Sequence, residues 1–181
     1  KLLFCADHHI PVTYTPGMMS GATGPVTLGG ALAMGNAEVL AAIAILQILR
    51  EGTPVVMGIA VAPADMRTGD LTLGAPVNAI CIRYAKALAT MYGIPCRCGG
   101  SGSDADGLTV QSGYESMLNM FVTLHEKVDL VIHSAGMLSS YGGMSFEKFI
   151  SDLNVISLIE HYHADIAVDD ARAVKLCQPV Q

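Results

Sequence analysis

Gly52-Thr53-Pro54-Val55-Val56-Met57-Gly58-Ile59 and, one unit later, Gly93-Ile94-Pro95-Cys96-Arg97 carry the same punctuation. Each follows a long Ala-, Leu- and Ile-containing run of helical character. A glycine suited to a left-handed cap ends the run, a proline two residues on stops the helix, and a short strand follows. Repetition of this helix, Gly-x-Pro, strand pattern predicts successive βα units at roughly forty residues each, enough for a crossover and a generous loop.

The remaining elements fall into the same rhythm. Pro11-Val12-Thr13-Tyr14 reads as a first strand. Gly24-Pro25 starts a helix reaching about Arg50, with Pro in the first turn. This helix is apolar nearly all round, so more than one of its faces should be covered. Pro76 opens a second helix to about Tyr92, and a third should run from about Val110 to Lys127. Leu130-Val131-Ile132-His133 has almost no polar face and suits a parallel strand buried on both sides. Ser145 is the expected cap of a fourth helix reaching about His163, and the tail from Asp165 is polar and short in pattern. The fold class is therefore α/β, with the 181 residues forming one domain. Four parallel strands cannot close into a barrel of normal size, so the chain is either an open sheet or a part of a (β/α)8 TIM barrel supplying about four βα units.

Composition narrows the function classes. With 51% hydrophobic and 14% charged residues the chain has ample core material, and a net charge of −6 disfavours nucleic acid while tolerating a cationic ligand. The longest apolar stretch, Val39 to Leu49, is interrupted by Gln47 and falls short of a bilayer span, so no membrane segment is expected. Asp7-His8-His9 follows the opening residues too soon for a signal peptide. The chain does not begin with Met and opens like the tail of a helix, as a piece of a longer protein would. Its five cysteines, Cys5, Cys81, Cys96, Cys98 and Cys177, have no disulfide-framework spacing, which points to the cytoplasm. Cys96 and Cys98 face the same way on a strand and read as inert thiols, with zinc ligation the alternative. Most of the ten methionines, among them Met34, Met57, Met91, Met117 and Met120, read as packing.

In a parallel βα sheet the loops at the carboxyl ends of the strands share one edge, and that edge binds ligands. Ser20-Gly21-Ala22-Thr23-Gly24 offers small residues for close backbone approach and two hydroxyls, Ser20 and Thr23. It is neither a dinucleotide fingerprint nor a phosphate loop. Asp65 ends the second strand region, where it either pairs with Arg67 or faces a ligand. His133 ends an apolar strand where a barrel enzyme presents a side chain to substrate. Tyr114 and Glu115 begin the third helix near the same mouth. In the Asp7-His8-His9 and His161-Tyr162-His163 clusters neighbouring residues do not share a helix face, and His161 and His163 lie near a helix end with no carboxylate at ligand spacing, so no metal site is expected.

Met19-Ser20-Gly21-Ala22-Thr23-Gly24-Pro25-Val26-Thr27-Leu28 and Gly35-Asn36-Ala37-Glu38-Val39-Leu40 resemble the trimethylamine:corrinoid methyltransferase family. The resemblance continues through Asp65-Met66-Arg67-Thr68-Gly69, Gly93-Ile94-Pro95-Cys96-Arg97, Gly113-Tyr114-Glu115-Ser116, His133-Ser134-Ala135-Gly136 and Glu147-Lys148-Phe149. It implies a (β/α)8 barrel longer than this chain, and an enzyme of one-carbon metabolism, as in methanogenesis. That enzyme would move a methyl group from a methylated amine to the cobalt of a cognate corrinoid protein docked over the barrel mouth. No tightly bound cofactor of its own is implied, and the full-length protein is expected to be a homo-oligomer.

Trimethylamine needs its nitrogen made cationic before it can leave, and family members acting on it resemble one another in carrying pyrrolysine. No such residue stands among these 181 positions, and Asp104-Ala105-Asp106-Gly107-Leu108 departs from the family's Asp-Ala-Lys pattern. A quaternary amine such as glycine betaine leaves as a neutral amine and is the favoured donor. The resemblance then implies that His133 bonds a substrate carboxylate or orients the amine, that Asp65 and Glu115 face the cation, and that Tyr14, Tyr114 or Tyr141 gives cation–π contact. Ser20, Thr23 and Arg67 complete the expected substrate-binding set. The alternatives are a metal-dependent TIM-barrel hydrolase, resting on the histidine pairs and Cys96/Cys98, and a barrel fragment with no catalytic part.

Overall fold

The structure, a computed structural model, describes residues 1–166; Cys177 and nearly all of the polar tail lie outside them. The described residues form a mixed α/β fold with a parallel sheet and five helices. Strands β1 (Val12–Tyr14), β3 (Val55–Gly58), β5 (Cys96–Gly99) and β6 (Leu130–Ile132) are all parallel and stand in the order β1-β3-β5-β6. The first two are each continued by a further strand, β2 (Gly17–Ser20) and β4 (Ala60–Pro63), which pair with each other. Register carries through the break: Tyr14 faces Met57 and Gly17 faces Ala60. These extensions were not expected, and they move Ser20 from a loop into a strand.

Helices α1 (Leu2–Asp7), α2 (Leu28–Leu49), α3 (Pro76–Tyr92), α4 (Val110–His125) and α5 (Phe146–His163) follow the expected order. The second Gly-x-Pro signal behaves as read: Gly93 caps α3 at φ 66° and Pro76 is in its first turn. The first differs in detail. Gly52 has φ 80°, but α2 ends at Arg50 in an extended conformation, and the Gln47 side chain bridges Gly52 N–H and Thr53 O. At the other end α2 starts three residues after Pro25, because the Thr27 hydroxyl accepts from Gly30 N–H and caps it. A Thr109/Ser112 capping box starts α4, and Ser145 caps α5 by accepting from Lys148 N–H.

Strand order that never reverses, joined by the right-handed crossovers that parallel strands almost always use, sends the crossover helices α2, α3 and α4 to the same face of the sheet. The core lies between them: Val39 of α2 and Cys81, Ile82 and Ala85 of α3 cluster with Met57, Ile59, Cys96 and Cys98. Arg97 and Gly99 alternate with the two cysteines and point to the opposite face.

Three packing expectations are corrected. Leu130 is 40% exposed, because β6 is the last strand of the sheet and has one neighbour instead of two. Among the described residues α2 buries one stripe, Ala31, Leu32, Gly35, Val39, Ala42 and Leu46, while Ile48 stays 84% exposed. As a whole α2 is long and apolar enough to cross a membrane by length and composition, so the break at Gln47 is no bar to that length; Ala31, Leu32 and Val39 of its buried stripe join the core cluster. Met57 and Met120 are buried, whereas Met34, Met91 and Met117 are exposed.

Candidate functional site

Between β4 and the carboxyl end of β5 lies a cavity of about 250 Å³, walled by Met18, Val61, Leu73, Arg97 and Tyr141, by Asn78 and Cys81 of α3 and by the glycines around β5. Glycine is required on that wall: a Cβ at Gly100 would stand 2.6 Å from the Ser134 Cα. Arg97 reaches the cavity because it sits on β5 between two cysteines buried toward the helices. Its Nη2 donates to His133 Nδ1 at 3.3 Å, and its Nε is buried without a partner. Among the described residues no carboxylate pairs with this guanidinium.

His133 follows β6 at φ 57°, a left-handed conformation that turns its ring toward Arg97. Burial first, and then the adjacent Arg97 charge, hold its pKa below the usual histidine value. The neutral ring accepts at Nδ1 from Arg97 and so carries its proton at Nε2. Tyr141 stacks obliquely on it, ring centroids 5.0 Å apart, and burial raises the phenol pKa. Arg97, with a spare guanidinium N–H, and the Tyr141 phenol line the cavity, and the exposed His133 ring stands against both from outside that lining. That set suits a small carboxylate.

Tyr141 also walls a second, more open cavity of about 680 Å³, where Asp65, Asp70, Asp104 and Asp106 gather. Tyr141 lies in a short 3-10 turn, Ser139–Tyr141, between the two-residue strands β7 (Met137–Leu138) and β8 (Gly143–Met144). The Asp104 carboxylate accepts from Leu73 N–H (2.6 Å), Gly74 N–H (2.8 Å) and Ser140 Oγ (2.6 Å).

Of the expected site residues, His133 and Tyr141 come together. Asp65 stands on the second cavity, where it accepts from Arg67 N–H at 2.8 Å and lies 3.6 Å from Arg67 Nε, so the two pair with each other. The Arg67 backbone N–H is the main cause that lowers the Asp65 pKa. The Arg67 side chain is otherwise 90% exposed. Glu115 is turned inward: its carboxylate accepts from Ser103 Oγ, Asp104 N–H and Gln111 Nε2, and a side chain at Gly74 would collide with it. It braces the loop after β5 and does not face the cavity. Thr23 Oγ1 accepts from Met19 N–H and closes its own turn. Ser20 is buried in β2 and its carbonyl accepts from Ala64 N–H. Tyr114, 61% exposed, stands apart from the cavity, and Tyr14 packs against the helix layer. Arg97 and Asp104, though they stand in motifs quoted above, are not among the expected site residues. The available signal was an arginine alternating with cysteines in a strand otherwise bound for the core.

The histidine and cysteine clusters do other work. His8 and His161 bond the carbonyls of Phe4 and Ser157 in their own helices, and His163 bonds that of Ile159. The thiols of Cys96 and Cys98 are buried 3.7 Å apart. Among the described residues no group of three or more His, Cys, Asp or Glu converges on a metal position.

The family profile described as trimethylamine methyltransferase (MTTB) matches residues 2–176. The chain belongs to this trimethylamine methyltransferase family. It is 40% identical over 153 residues to a glycine betaine methyltransferase of Desulfitobacterium hafniense (strain Y51), covering 84% of the chain and 32% of that protein. It is 32% identical over 171 residues to a proline betaine:corrinoid methyltransferase of Eubacterium limosum, covering 94% and 35%. Against the trimethylamine methyltransferase MttB of Methanosarcina thermophila it is 31% identical over 161 residues, covering 89% and 33%. The chain spans about a third of the length of these curated relatives.

Proposed function

We propose that the protein takes part in methyl transfer from a carboxylated quaternary amine, of the betaine class, to a corrinoid carried by a partner protein. The observation that carries this is the Arg97 guanidinium, walling the cavity with its buried Nε unpaired and its neighbour His133 neutral. Trimethylamine offers Arg97 nothing to bind, and as a cation it would be repelled; a betaine offers a carboxylate. The names of two relatives, which specify betaines, support the same choice.

The residues then divide the work. Arg97 and His133 hold the carboxylate, and Tyr141 gives its ring face to the ammonium end. The quaternary nitrogen departs as a neutral amine, so no general acid is needed. When bound, the partner's corrinoid supplies the nucleophile that accepts the methyl carbon. A cavity of about 250 Å³ suits a small donor and leaves no room for a corrinoid ring, consistent with a macrocycle presented from outside by the partner. The unreversed parallel strand order, joined by the crossover helices α2, α3 and α4, supports a chain that is one domain and part of a longer (β/α)8 barrel. The cytoplasm is the compartment that goes with this reading.

Two measurements on the intact protein test it. Incubated with a cob(I)amide and followed by visible spectroscopy, it should methylate the cobalt from glycine betaine and not from trimethylamine; the reverse preference would sink the proposal. Binding of the carboxylate offsets the Arg97 charge at His133, so the bound histidine pKa rises above its depressed free value. Between those two values the donor binds more tightly as pH falls, with proton uptake, and calorimetry in buffers of different ionisation enthalpy should record it.

A further inference from the structure

Ser139, Ser140 and Tyr141 have φ of 49°, 51° and 76°, three successive non-glycine residues in the left-handed region. L side chains adopt that conformation reluctantly, so something outside the segment must hold it. The segment 103–106, following β5, does so. Ser139 N–H donates to Ala105 O and Ser140 N–H to Ser103 O, while Ser139 Oγ donates to Asp106 Oδ1 at 2.9 Å. The shortest of these links is Ser140 Oγ to Asp104 Oδ1, at 2.6 Å. Asp104 is itself fixed to a third loop through Leu73 N–H and Gly74 N–H. One carboxylate therefore fastens the loops that follow β4, β5 and β6. The residue that this fastening delivers is Tyr141, which together with Leu71 lines both the inner cavity of about 250 Å³ and the acidic outer one of about 680 Å³.

We infer that Asp104 and Ser140 are positioning residues that latch Tyr141 as the partition between the two cavities, and that this latch sets the upper size of the methyl donor. The inference rests on the betaine reading and deepens it. With the latch closed, the inner cavity holds a compact donor against Arg97 and His133. With it open, the ring leaves its place, the two cavities merge, and a bulkier betaine fits while a compact one loses its aromatic wall. The hydroxyl is the separable part. The backbone bonds of Ser139 and Ser140 persist without it, so its removal loosens the ring and leaves the loop in place.

Ser140→Gly in the intact protein tests the latch. Glycine is at ease at φ 51°, which offsets part of the cost of the lost hydroxyl bond, and thermal melting of the variant alongside the binding assay separates lost function from unfolding. Affinities for glycine betaine and for the bulkier carnitine are measured by calorimetry. The position of the ring is read from fluorine NMR of protein carrying 3-fluorotyrosine, with the Tyr141 resonance assigned through Tyr141→Phe. The preference for glycine betaine over carnitine should fall by roughly fivefold or more, as expected for losing one hydrogen bond to a charged group, and the Tyr141 resonance should move toward its solvent-exposed position. A preference within about twofold of the parent's overturns the latch, even if thermal stability rises. Should the parent bind neither betaine, the donor reading fails on its own account. The resonance then decides the latch: a shift in Ser140→Gly supports it, and an unmoved signal overturns it.

Discussion

Arg97→Ala is expected to raise the dissociation constant for glycine betaine by roughly 30- to 150-fold, the cost of deleting a charged hydrogen-bond partner. Folding should barely respond. Arg97 makes no ion pair among the described residues, and its Nε already lacks a partner, so the folded state loses only the bond to His133 Nδ1. The backbone of β5 keeps its pairing to β3 and β6 whatever side chain stands there. Binding lost with the melting temperature held is the signature of a residue kept for a ligand. Arg97→Lys preserves the charge but not the planar fork, and should fall between the two. Calorimetric titration of the three proteins measures the series. An alanine variant that binds betaine as the parent does would remove Arg97 from the donor site, and the proposed substrate class with it.

Lys148→Met should cost about 3–5 kcal/mol of folding free energy. The Lys148 ammonium, on α5, is buried and donates to both oxygens of Asp152, to Ser116 Oγ on α4 and to the Ser101 carbonyl beyond β5. Asp152, equally buried, also accepts from Gly136 N–H beyond β6. Methionine fills the space but leaves a carboxylate with no cation in a dry interior, and that uncompensated charge dominates the loss. The double variant Lys148→Met/Asp152→Leu removes both charges. It should recover part of the loss and remain about 1–3 kcal/mol below the parent, because Ser116, the Ser101 carbonyl and Gly136 N–H lose their partners. Urea unfolding of parent, single and double variants gives the comparison. A single variant within about 1 kcal/mol of the parent would mean that water reaches the pair, and that α5 does not clamp the loops of the cavity.

Much of the fold could be read from residues that act on their own backbone. Gly93 supplies positive φ, Pro76 a fixed φ, and Ser145 an oxygen for an orphan N–H; each marks a boundary within a few residues of itself. Where such a signal was shared, the reading slipped: Thr27 outcompeted Pro25 as the start of α2, and Gln47 moved the end of that helix ahead of Gly52. The extensions β2 and β4 were illegible, because they exist only by pairing with each other across some forty residues of sequence.

The same division runs through the site. His133 and Tyr141 could be nominated because their places, at a strand end and in the loop region after it, are local facts. Glu115 shows the limit: a carboxylate at a helix start looks alike from the sequence whether it faces a ligand or, as here, a serine and a backbone N–H beneath the loop. Arg97 meets His133 because β5 and β6 are neighbours in one register, and Asp104 joins three loops because the strands beneath them end at one edge. Periodicity, caps and turns are set by forces reaching a few residues along the chain, and these amino acids specify them directly. The partners that Arg97 and Asp104 find depend on the packed sheet, since the groups that meet them arrive from thirty or more residues away.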